Sequence, residues 1–134
     1  MADALALHRK MFEVVIARDY DGLRALLHPD YVYMTSDGVE QKGADAAVAV
    51  PETYFAAFPD MAFEFPHEHA VSDSVSIIEF NASGTHTGPL GDIPATGKRA
   101  SVHICNVIEV RDGLIYRERE YFDTMPMLQQ LGIA

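Results

Sequence analysis

The order of the residue patterns predicts an α+β fold, with helices packed on one face of a bent antiparallel sheet. Three observations carry that expectation. The first third of the chain repeats apolar residues at helical spacing. The second half alternates apolar and polar residues. Two long alternating runs meet at Asp112-Gly113, a strong hairpin signal. The 134 residues are read as one domain, 1–134, because half that length would bury too little core to stand alone.

The elements follow in order. From Ala4 to Arg18, apolar residues at 7, 11, 14 and 15, joined by 5, 12 and 16, make a wide helical face without Gly or Pro. Asp21 is expected to cap a second helix through Leu27, which Pro29 stops. Tyr31 to Thr35 reads as a short strand and Ser36-Asp37-Gly38 as a turn. Ala44 to Phe58 has helical composition, and Pro51 is expected to split it into two short helices. Met61 to Phe65 alternates as a strand, and Val75 to His86 is a longer one. A Gly- and Pro-rich loop fills 86–97. The strands Ala100–Val110 and Leu114–Asp123 form the hairpin, and Thr124–Leu131 is a last helix with Gly132 past its end.

Composition narrows the function classes. Hydrophobic residues make up 49% and charged residues 22%, a globular balance. The net charge of −10 argues against nucleic acid or an anionic membrane surface as partner. The single cysteine, Cys105, excludes an intrachain disulfide framework and a Cys-rich zinc site, and mid-strand it reads as a small buried hydrophobe. No apolar run reaches the roughly 18 residues of a spanning helix. The N-terminus has no basic segment followed by an apolar one, so a soluble cytoplasmic protein is expected. His67-Glu68-His69 would put two imidazoles on one side of a strand, but Pro66 interrupts there and the helical first third does not suit a metal-binding β-barrel; no metal is expected. Residues 84–97 lack the Gly-Lys-Ser/Thr of a phosphate loop.

Gly84-Thr85-His86-Thr87-Gly88, Pro94-Ala95-Thr96-Gly97, Asp112-Gly113-Leu114-Ile115, Tyr121-Phe122-Asp123 and Gln130-Leu131-Gly132 occur in that order. In this order and spacing they resemble SnoaL-like polyketide cyclases, of the nuclear-transport-factor-two-like superfamily that also holds ketosteroid isomerase and limonene epoxide hydrolase. The resemblance is densest over 84–132. Upstream it is one of pattern: two helices, His28-Pro29-Asp30 before a strand, and Phe58-Pro59-Asp60 closing a helix. It implies a cystatin-like cone, a bent sheet around a deep pocket closed by the N-terminal helices. It also implies acid–base chemistry without metal or organic cofactor, a small apolar ligand, and a homodimer through the sheet's outer face. A carboxyl buried in such a pocket has its pKa raised and holds a proton near neutrality.

Glu118 to Asp123 resembles the terminal strand of the epoxide hydrolases, whose catalytic Asp falls on Glu120 and whose pocket aromatic falls on Phe122. Counting back from Gln130-Leu131-Gly132, as in the cyclases, points to Asp123 instead. Both stay candidates; as a non-catalytic alternative, Asp123 caps the last helix. A two-residue turn at Asp112-Gly113 places Leu114 opposite Arg111, Glu118 opposite Val107, Glu120 opposite Cys105 and Phe122 opposite His103. His103 would then tune or relay for Glu120, with Glu118 on the same face. Both faces of this hairpin are mixed, and a bulge would swap them. Tyr33 is a candidate hydrogen-bond donor in the pocket and His86 a candidate ligand gate at the loop mouth. Thr35 stands where the epoxide hydrolases carry Asn and near where the isomerases carry their base. Glu79 to Ser83 lacks the hydrolases' Arg-x-Asp. Both departures argue against epoxide hydrolysis and against the isomerase's own base. Two functions remain: a cofactor-independent enzyme performing aldol cyclisation or isomerisation on an apolar carbonyl compound, or a non-catalytic ligand-binding or dimerisation module on the same fold.

Overall fold

Asp3 opens the first helix: its carboxylate accepts a hydrogen bond from the Ala6 amide at 3.1 Å, and α1 runs Ala4–Ile16. The computed structural model describes residues 3–134. Helix α2 (Tyr20–Ala25) is capped by Asp19, not Asp21; the Gly22 amide donates to the Asp19 carboxylate at 2.9 Å, and Asp21 sits in the first turn. Strand β1 (Leu27–Thr35) starts earlier than its apolar residues suggest. Its register shifts between Leu27 and Val32, and exposed Pro29 lies in that gap, where a missing N–H loses no ladder bond. Strand β2 (Glu40–Lys42) is three exposed polar residues, with no apolar alternation to announce it.

Helix α3 (Ala44–Ala57) is continuous through Pro51, contrary to the expected break. Val48 on one side of Pro51 and Phe55 on the other are both buried, so packing holds the two halves as one helix despite one lost backbone bond. Strand β3 (Ala62–Ala70) likewise runs past Pro66. It is an edge strand, and its register shifts between Glu64 and His67, which is where a proline is tolerated. Strands β4 (Val75–Thr85), β5 (Arg99–Arg111) and β6 (Leu114–Tyr121) form the long meander, followed by α4 (Thr124–Gln130). Asp112 and Gly113 both have positive φ, 56° and 74°, the mirror-image turn that matches strand twist.

The six strands lie in the order β2-β1-β6-β5-β4-β3. All pairings are antiparallel except β1 with β6, which is parallel. The sheet is therefore mixed rather than wholly antiparallel: β1 is inserted beside the last strand of the meander, a long-range pairing that no local pattern encodes. Helix α1 packs across β3, β4 and β5, and α3 packs on β1 and β2. Ile78, Phe80, Ile104 and Ile108 project from the sheet into the core beneath them. No helix among the described residues is long and apolar enough to cross a membrane.

Asp123 is the N-cap of α4, accepting from the Met125 amide at 2.9 Å. Asp123→Ala is expected to lower stability by about 1 kcal/mol in urea denaturation.

Candidate active site

A bulge in the β5–β6 hairpin decides which side chains meet. Arg111 pairs with Leu114 and Val110 with Ile115, as the turn predicts. Beyond Val110 the register shifts by one residue, at Tyr116, so Ile108 meets Glu118, Asn106 meets Glu120 and Cys105 meets Tyr121. Because side chains alternate, this one residue moves Glu118, Glu120 and Phe122 onto the face of Ile104, Asn106 and Ile108.

That face, α1 and α3 enclose a cavity of about 970 Å³ counting its mouth. Its wall is almost entirely apolar, with Phe12, Phe80 and Ile104 contributing. Glu118, Glu120, Tyr33 and Tyr54 supply polar groups at one region of the wall. A mostly apolar cavity with a few convergent polar groups is what a small-molecule site needs.

The two carboxyls are bound into one network. The Asn106 side-chain amide donates one N–H to Glu118 Oε2 at 2.8 Å and the other to Glu120 Oε2 at 2.9 Å. The Tyr31 hydroxyl donates to Glu118 Oε1 at 2.5 Å, and the Tyr33 hydroxyl to Glu120 Oε1 at 3.1 Å. Behind Asn106, His8 of α1 lies fully buried. Its Nε2 is 2.7 Å from Asn106 Oδ1, and its Nδ1 is 2.8 Å from Ser76 Oγ.

Burial sets the protonation states. The Glu120 pKa is raised to about 7: burial is the largest cause, the neighbouring Glu118 carboxyl adds to it, and the bonds from Asn106 and Tyr33 pull the other way. Glu118 is also raised by burial, opposed by its bonds from Tyr31 and Asn106. Two carboxyls on one amide cannot both ionise freely. Glu118, with the shorter donor bonds, is the better seat for the negative charge, which leaves the proton to Glu120. Burial pushes the Tyr31, Tyr33 and Tyr54 phenols up, so all three stay protonated donors. Burial pushes His8 down to about 4, so its ring is neutral near pH 7.

The SnoaL-like polyketide cyclase family model matches residues 6–131, nearly the whole described chain. The chain belongs to that family. AclR of Streptomyces galilaeus, named as a candidate hydroxylase, is 26% identical, with a TM-score of 0.84 over 96% of this chain and 80% of its own. IdmH of Streptomyces antibioticus, a candidate polyketide cyclase, is 25% identical with a TM-score of 0.80, covering 95% of this chain and 96% of its own. A SnoaL-like protein from Jannaschia shares the fold at 16% identity, with a TM-score of 0.87 over 98% and 92% of the two chains. No curated protein sequence matches. Family membership supports an enzyme-type role.

Against this SnoaL-like frame, the expected site residues divide. Glu120, Glu118, Tyr33 and Phe122 all line the cavity. His103 does not: the bulge leaves it exposed on the opposite face, with its Nδ1 2.5 Å from Asn81 Oδ1. It stands beside neither carboxyl. Asp123 is exposed and spent on its helix cap. Thr35 donates to Asp37 within the turn, 2.8 Å away, and does not line the cavity. His86 is fully buried against Phe58, its Nδ1 accepting from the Thr96 amide at 3.2 Å, so it lies behind the cavity wall and not at the mouth. His67 and His69 sit on edge strand β3, where His69 pairs with Glu79 at 2.9 Å.

Asn106, His8, Tyr31 and Tyr54 are the network and cavity members that sequence reasoning passed over. Two carried a signal. Asn106 is a polar residue between Ile104 and Ile108 on a buried alternation. His8 falls on the same helical stripe as Met11 and Phe12. Tyr31 was legible only as a strand residue, because its partner Glu118 lies on a strand 87 positions away.

Proposed function

We propose that this chain moves a proton at a carbon beside a carbonyl of a small apolar compound, completing an intramolecular aldol ring closure or an isomerisation. The observation that carries this reading is Glu120, a carboxyl poised near neutrality on the wall of an apolar cavity. In its ionised form Glu120 takes the α-proton, and the C–H electron pair passes into the carbonyl to give an enolate. In ring closure the enolate carbon bonds to a second carbonyl carbon, and Glu120 returns its proton to the resulting alkoxide. In isomerisation the proton goes back to a different carbon.

Tyr33 orients Glu120, and Tyr54 is placed on the same cavity wall to donate to the enolate oxygen. Phe122, whose ring lies edge-on to Tyr54 with centroids 6.5 Å apart, offers an apolar seat for the ligand. Every group this sequence of steps uses is on the chain.

The test is exchange of α-protons in heavy water, followed by NMR over a panel of linear and cyclic diketones. Protein-dependent exchange lost in Glu120→Gln supports the reading. Binding of the same compounds without exchange would favour the ligand-binding module.

We also propose a homodimer through the sheet's outer face, where half-buried Ile77, Cys105 and Val107 make an apolar strip. Sedimentation at micromolar concentration is expected to give twice the chain mass; a monomer mass would refute it.

A further inference from the structure

We propose that His8, although it does not line the cavity, is a positioning residue for the acid pair: its Nε2–H fixes the orientation of the Asn106 amide, so that both N–H groups of Asn106 face the two glutamates. This rests on the reading of Glu120 as the proton carrier and assigns the device that holds it ready.

The argument is one of donors and acceptors. Asn106 uses its nitrogen twice, on Glu118 and Glu120, so its oxygen must face away from them and accept from something else. The group there is His8 Nε2, at 2.7 Å. For Nε2 to donate from a neutral ring, Nδ1 must be bare, and Ser76 Oγ stands 2.8 Å from it as the donor that selects this tautomer. Ser76 and Asn106 are both fully buried, so no water competes for either ring nitrogen. The resulting bonds all point one way: Ser76 to His8, His8 to Asn106, Asn106 to both carboxyls. A flipped Asn106 would aim its oxygen at two acceptors and leave His8 Nε2–H facing an amide N–H₂, an arrangement with several unmet buried groups.

The elements involved come from distant parts of the chain: α1 supplies His8, β4 Ser76, β5 Asn106 and β6 both glutamates. The titratable groups around Glu120 are Glu118 beside it on β6, Tyr33 and Tyr31 on β1 and Tyr54 on α3. Glu68 on β3 is the charge that acts on His8. None of these can replace the Asn106 N–H groups: each tyrosine has a single O–H, those of Tyr31 and Tyr33 are already engaged, and the glutamates bring no N–H.

Two measurements without substrate test this, so their failure is separate from a failure of the exchange assay. In the wild-type protein, the imidazole ¹⁵N spectrum is expected to show His8 protonated at Nε2 and bare at Nδ1 from pH 6 to 8. The opposite tautomer, or an imidazolium, would overturn the proposal. His8→Phe keeps an aromatic ring beside Phe12 (centroids 5.5 Å apart in the wild type) but removes both nitrogens. With Asn106 released, the carboxylate form of Glu120 loses a fixed donor, and its ¹³C carboxyl titration is expected to move up by about one pH unit. His8→Gln, which restores an N–H near the Nε2 position, should bring the midpoint back toward the wild type. A folded His8→Phe whose Glu120 midpoint is unmoved would overturn the proposal. Should His8→Phe fail to fold, the wild-type tautomer still decides it.

Discussion

Glu120→Gln should lower turnover at pH 7 by about 10²–10⁴-fold, the usual contribution of a positioned acid–base group. The substitution keeps the shape of the side chain. The Gln oxygen can accept from Asn106 while its amide nitrogen donates to the Tyr33 hydroxyl, which rotates to accept; the network of distances at 2.9 and 3.1 Å is thus preserved. What disappears is the titrating proton. Binding should survive, because the cavity wall is apolar and Glu120 is a small part of it. The loss is therefore expected in kcat, with KM little changed, measured on whichever diketone shows exchange in the wild type. A companion variant sharpens the reading. Glu118→Gln removes the neighbouring charge that helps raise Glu120, so the pH profile should move to lower pH while activity persists. Equal loss of activity in both variants, without a profile shift, would mean that the two carboxyls act as one unit and not as anion and acid.

The outcome at Glu120 shows how far local reasoning reaches. Alternation along Glu118, Glu120 and Phe122 was enough to put those three on one face, and the cavity contains all of them. What faces them was not legible, because an unremarkable Tyr116 takes up the bulge and exchanges His103, Cys105 and Val107 for Ile104, Asn106 and Ile108. The same limit applies to β1. Its residues read as a strand, but the parallel pairing with β6 that brings Tyr31 and Tyr33 to the glutamates spans most of the chain. Helix caps show the opposite case: Asp123 beside Thr124 is a local signal, and the alternative reading of Asp123 as a cap needed nothing distant to become visible. Pro51 and Pro66 misled in one direction, since burial on both sides of one and an edge position for the other override a local penalty.

Stability should stay nearly level from mildly acidic to neutral solution, because two buried groups titrate in opposite senses and their limbs overlap and cancel between about pH 4.5 and 6.5. Folding lowers the pKa of His8 from 6.5 to about 4. A base depressed in this way contributes stability above its unfolded pKa and loses it as the pH falls through the folded one. The acid limb therefore runs from about pH 6.5 down to 4, and full burial makes it worth about 3 kcal/mol. Folding raises Glu120 from 4.5 to about 7. An acid raised in this way contributes stability below its unfolded pKa and loses it as the pH rises through the folded one. The second limb runs upward from about pH 4.5 to 7, with a size of about 2–3 kcal/mol shared with Glu118. Urea denaturation at pH 4, 5.5 and 8 reads both limbs. Glu120→Gln should remove the upper limb, so relative to the wild type it should gain little at pH 4, about 1 kcal/mol at pH 5.5 and about 2–3 kcal/mol at pH 8. His8→Phe should flatten the lower one, since a ring that cannot take a proton has nothing to lose in acid. A wild type most stable at pH 8, with Glu120→Gln no better there, would mean that Glu120 is ionised in the folded protein at little cost, and the proton would have to be sought on another group of the cavity.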